Sequence, residues 1–86
     1  MIDVKKLSDN EYQVTVDENG STTTHTVTVD NAYHQHLTGS SITKEELIEK
    51  SFEFLLAREP KESILRTFNI KEINRYYPDY EGQWRK

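Results

Sequence analysis

Residues 42–60 read Ile42-Thr43-Lys44-Glu45-Glu46-Leu47-Ile48-Glu49-Lys50-Ser51-Phe52-Glu53-Phe54-Leu55-Leu56-Ala57-Arg58-Glu59-Pro60. Both ends of a helix are written into this segment. Thr43 and Glu46 have capping-box spacing, with the Thr hydroxyl set to take the Glu46 N–H and the Glu46 carboxylate set to reach back to the Thr43 N–H. Ile42 before the cap and Leu47 beyond it are placed as a hydrophobic staple. Pro60 stops the helix, because it lacks an N–H and biases Glu59 away from helical angles. The spacing predicts a long central helix over 44–58.

Its apolar stripe is wide. At about 100° per residue, Leu47, Ile48, Ser51, Phe52, Phe54, Leu55 and Leu56 cover an arc of roughly 200°. A helix lying on one sheet face needs little more than 100°. The surplus calls for a second layer, supplied by the C-terminal segments or by another protein.

N-terminal to this helix the pattern changes to a period of two. Tyr12, Val14 and Val16 alternate with Gln13, Thr15 and Asp17, as in a half-buried strand. Asn19-Gly20 is the preferred pair for a two-residue hairpin turn. With those two as the loop, Val16 faces Thr23, Val14 faces His25, and Tyr12 faces Val27. Val29 shares their side, and Thr22, Thr24, Thr26 and Thr28 fall on the other. A slip of one residue would break this agreement. Ile2 and Val4 alternate with Asp3 and Lys5, leaving open whether residues 2–7 add a strand. The meander over about 2–29 therefore has two or three strands. Its threonine face reads as a solvated surface of good strand formers.

Between hairpin and long helix, Asp30 is placed to cap a short helix at 31–37 with Ala32, Tyr33 and Leu37 inward. Gly39 can end it in a left-handed conformation, and Ser40-Ser41 lead on to Ile42. Beyond Pro60 the apolar positions Ile64, Leu65 and Phe68 suggest a helix at 61–68. Asn69 and Glu72 then repeat capping-box spacing before a helix at 70–77 with Ile70, Ile73 and Tyr77 inward, which Pro78 ends. The tail, 79–86, carries Tyr80 and Trp84 without periodicity. The fold class expected is α+β, one domain over 1–86: an antiparallel β-meander packed on a long central helix, with a helical part at about 31–77.

Several segments resemble a pattern in short, functionally uncharacterised prokaryotic proteins. They are Ser51-Phe52-Glu53-Phe54-Leu55-Leu56 with Arg58-Glu59-Pro60, then Ser63-Ile64-Leu65 and Phe68, and finally Tyr77-Pro78. The strand His25 to Val29 and the turn Leu37-Thr38-Gly39 are similar to the same group. The resemblance covers most of the chain. It implies a shared fold and brings no catalytic residues.

Composition narrows the function classes. The 86 residues contain no cysteine, which excludes a disulfide framework and a thiolate metal site. No apolar run approaches the roughly 20 residues that span a bilayer. Residues 1–6 lead into no signal-peptide core, so a cytoplasmic setting is expected. The net charge of −4 argues against nonspecific nucleic-acid binding. The charge is uneven: residues 1–56 hold 4 basic and 10 acidic side chains, and residues 57–86 hold 7 basic and 5 acidic.

No constellation assigns catalysis, a cofactor or a metal. His34 and His36 are two apart in a predicted helix, where their rings diverge. His25 is expected on the inner face with its ring at the rim. The glutamates of the long helix read as a solvated face, no serine sits in a nucleophile elbow, and no glycine-rich loop can cradle phosphate. Two binding surfaces remain. One is for a protein partner or a second copy of the chain: the wide stripe with Phe54 and the aromatic group Tyr76, Tyr77, Tyr80 and Trp84, together with a free hairpin edge. The alternative is a small DNA-binding regulator whose helix pair over 62–77 exposes Lys71, Asn74 and Arg75. Against it, Leu65 occupies a position that normally needs a small residue, and Pro78 shortens the reading helix.

Overall fold

The hairpin forms as its alternation and turn residues dictate. In the computed structural model, which describes residues 1–39 and 41–84, strands β2 (Glu11–Glu18) and β3 (Ser21–Thr28) pair antiparallel, with Val16 opposite Thr23, Val14 opposite His25, and Tyr12 opposite Val27. Asn19 and Gly20 both have positive φ, 56° and 78°, as a type I′ turn requires. Residues Ile2–Lys6 form a strand, β1, which pairs antiparallel with β2, so the meander has three strands.

A fourth strand corrects the expectation for 61–68. This segment is not a helix. Lys61–Ser63 make a single 3₁₀ turn, and Thr67–Asn69 form β4, parallel to β3, with Val27 opposite Phe68. The positions Ile64, Leu65 and Phe68 suit either a short helix or an extended segment, and eight residues are too few for periodicity to decide. What decides is distant in sequence: β3 has a free edge, and the Thr26 N–H donates to the Arg66 carbonyl at 2.7 Å. The mixed sheet has the order β1-β2-β3-β4.

The helices lie on the valine face. Helix α1 spans Asn31–Thr38, and Gly39, with φ 62°, donates its N–H to Gln35. Asp30 holds the N-cap position without a side-chain capping bond, its carboxylate accepting instead from the Asn69 amide. Ala32, expected inward, is exposed. Helix α2 spans Lys44–Leu56 and shows the complete capping box of Thr43 and Glu46. It ends two residues before the expected boundary, and its 13 residues make one of three α-helices among the described residues rather than a single long central one. Leu47, Ile48, Ser51, Phe52 and Leu55 are buried. Removing the cap in Thr43→Ala should cost about 1 kcal/mol of unfolding free energy, measured by urea denaturation. Ser40, Arg85 and Lys86 lie outside the described residues.

Asn69 caps as expected, accepting the Lys71 N–H while the Glu72 carboxylate accepts the Asn69 N–H. A 3₁₀ turn at Ile70–Glu72 then runs into the one-turn helix α3, Ile73–Tyr76. The patternless tail turns back into the core. Tyr80 is fully buried, and its hydroxyl lies 2.5 Å from Ser51 Oγ. Ser51 donates its own proton to the Leu47 carbonyl, so Tyr80 is the donor in this pair. Phe54, in the remaining part of the wide α2 stripe, is partly covered from within the chain, in edge-to-face contact with Tyr80 and Tyr77.

His25 sits deeper than expected. It is fully buried, edge-on to Phe52, and bonded through both ring nitrogens. Nδ1 lies 2.8 Å from the Leu65 carbonyl and Nε2 2.8 Å from Thr23 Oγ1. A carbonyl can only accept, so Nδ1 carries the proton; burial disfavours the charged ring, so Nε2 accepts from the threonine hydroxyl. The neutral ring therefore ties β3 to the segment that enters β4.

Candidate protein-binding surface

The structure sorts the aromatic residues of the sequence-based candidate surface by depth. Tyr80 belongs to the core. Phe54 is half-buried, with the Arg58 guanidinium 3.6 Å above its ring. Arg58 also bonds the Phe54 carbonyl and Asp79, each at 3.1 Å, so the cation is already engaged. Trp84 is half-buried, meets Tyr80 edge to face, and has its indole N–H buried. Tyr77 is half-buried, and its hydroxyl donates to the Glu59 carboxylate, which holds the phenol above its ordinary pKa. Burial pushes the Tyr80 hydroxyl up to about 12. Only Tyr76 of the five is well exposed, at 64%.

Tyr76 stands over a groove that sequence reading missed. The end of α2, the segment 63–68 and α3 enclose about 200 Å³. Ile64, Phe68 and Ile73 form its floor, and Leu65, 48% exposed, forms a lip with Tyr76. Two charged residues line it, Glu59 and Glu72, and both are carboxylates. Each already accepts one hydrogen bond, from Tyr77 and from the Asn69 N–H, and keeps further lone pairs free. Sequence reasoning placed Leu65 in a helix, so the signal that it is an exposed apolar residue was lost. A broader depression of about 460 Å³ lies between Lys50, Glu53, Phe54, Gln83 and Trp84. It has mixed charge, and its aromatic walls already pack on the chain's own residues.

The residues of the DNA-binding alternative lie on a 3₁₀ turn and a one-turn helix. The helix pair over 62–77 is absent, because β4 replaces its first member. Lys71 and Arg75 are exposed, whereas Asn74 is half-buried and accepts the Glu81 N–H at 3.1 Å. The three histidines are also apart in role: His34 donates from Nε2 to the Ile42 carbonyl at 2.6 Å, and His36 lies beside Tyr33. Among the described residues, no three His, Asp or Glu side chains are grouped to hold a metal. No described helix is long and apolar enough to cross a membrane.

No protein-family model matches the chain, and neither the curated proteins nor the solved structures compared with it give a match.

Proposed function

We propose that the chain is a non-enzymatic protein-interaction module of the cytoplasm. Its groove takes one apolar side chain, flanked by basic residues, from a short segment of another protein. One observation carries this reading: two large apolar side chains, Leu65 and Tyr76, stand exposed at the lips of an apolar groove whose charged lining residues are Glu59 and Glu72. Exposed apolar patches with a polar rim mark interaction sites, and tyrosine is enriched in binding hot spots. The volume favours a side chain over a metabolite, since small-molecule pockets run to roughly 300–1,000 Å³. The two carboxylates select for lysine or arginine beside the anchor and against acidic segments.

The test is an amide chemical-shift titration with two probes, acetyl-Arg-Leu-Arg-amide and acetyl-Glu-Leu-Glu-amide. The basic peptide should move the amides of Leu65, Ile73, Tyr76 and Tyr77 with a millimolar Kd, and the acidic peptide should not. Equal responses to the two peptides, or no response to either, would overturn the reading.

A further inference from the structure

We infer that the free edge of β1 is a self-association site, joining two copies of the chain in antiparallel register about Val4 into one continuous sheet. This site is separate from the groove and does not rest on it. Among the described residues, the sheet order leaves β1 with no strand neighbour on its outer side.

Backbone directions on that edge follow from the pairing with β2. The Met1 nitrogen donates to the Asp17 carbonyl and the Asp17 N–H returns a bond to Met1, while the Leu7 N–H donates to Glu11. In an antiparallel pair, hydrogen-bonded and non-hydrogen-bonded positions alternate. Asp3 and Lys5 therefore point their backbone groups into the sheet, and Ile2, Val4 and Lys6 point theirs outward. A two-fold axis at Val4 sets Val4 against Val4 of the second copy and Ile2 against Lys6. These are the positions whose N–H and C=O groups are free to exchange bonds.

Side chains then select this register. Asp3 falls opposite Lys5 of the other copy, and the axis repeats that pair. Both occupy non-hydrogen-bonded positions, where facing side chains come closest. Both are exposed on the sheet face away from the helices, and neither has an ion-pair partner among the described residues. Shifting one copy by two residues sets Asp3 against Asp3 or Lys5 against Lys5, and like charges directly opposite are destabilising. Edge lysines ordinarily discourage strand addition. Here Lys5 meets an aspartate only in the Val4-centred register, so the same lysine that repels other edges accepts this one. On the helix side, the half-buried Ile2 and Val4 gain cover from their counterparts.

A pair of five-residue strands is a small interface, below the roughly 1,200 Å² of stable complexes, so the dimer forms and dissociates with concentration. Sedimentation equilibrium from roughly 10 μM to 1 mM tests this. The wild-type mass should rise from 10.1 kDa toward twice that value. Asp3→Lys and Lys5→Asp each create two like-charge pairs and should weaken association about tenfold or more. The double variant Asp3→Lys, Lys5→Asp restores opposite charges and should dimerise like the wild type. Both substituted positions sit on an exposed face, and circular dichroism checks that each variant is folded. A wild-type mass fixed at the monomer value, single variants that associate as well as the wild type, or a double swap that stays monomeric would each overturn the inference.

Discussion

Tyr80→Ala should remove about 3–5 kcal/mol of unfolding free energy, the range for deleting a buried aromatic side chain. For a domain whose total stability is of the order of 5–15 kcal/mol, that change leaves the chain near its unfolding threshold at room temperature. The size follows from what the ring does. It is fully buried, meets Phe54 and Trp84 edge-on, and anchors the tail to the middle of α2 through Ser51. Tyr80→Phe keeps the ring and deletes one donor, at a cost of about 1 kcal/mol. Urea denaturation of the two variants separates packing from the hydrogen bond. A loss below 1 kcal/mol in Tyr80→Ala would mean that the tail is not part of the core.

The second large effect is a pH dependence centred on His25. Burial lowers the pKa of the ring, and the neighbouring Arg66 charge acts in the same direction, against the smaller opposing effect of the Leu65 carbonyl. The folded state therefore resists a proton that the unfolded chain accepts at about pH 6.5. The neutral ring's contribution is intact above that value and is lost as pH falls toward the folded pKa, with a slope of up to about 1.4 kcal/mol per pH unit. Unfolding free energies at pH 7.5 and 5.5 should show the drop. His25→Gln should flatten the slope between them while lowering stability at pH 7.5 by about 1–3 kcal/mol, because the Thr23 hydroxyl and Leu65 carbonyl lose their fitted partner. An unchanged slope in that variant would assign the pH response to other groups.

The parts of this fold legible in the sequence are those set by neighbours. Asn19-Gly20 and the alternation of Tyr12, Val14 and Val16 specify the hairpin and its register within about twenty residues of chain. Thr43 with Glu46, and Asn69 with Glu72, specify helix starts within four. Where the outcome depended on distant chain, local pattern misled. Ile64, Leu65 and Phe68 satisfy a helical period, yet the open edge of β3 draws 67–69 into the sheet. His25 was placed on the correct face but not at its true depth, because the carbonyl that covers it belongs to Leu65, forty residues on. Nothing local marks Tyr80 as core, since its partner Ser51 precedes it by 29 residues. The groove shares this origin. Its lips, Leu65 and Tyr76, lie on segments either side of β4, and the aromatic residues grouped from sequence divide between core and rim.

The division of that group into core and surface is the central claim, and one measurement tests it most directly. The Leu65→Ser, Tyr76→Ser double variant alters two exposed lips and no buried residue. Titrated with acetyl-Arg-Leu-Arg-amide, it should bind at least about tenfold more weakly than the wild type, with an unfolding midpoint within about 2 °C of it. Undiminished affinity in a folded variant would contradict the assignment of the groove as the binding surface.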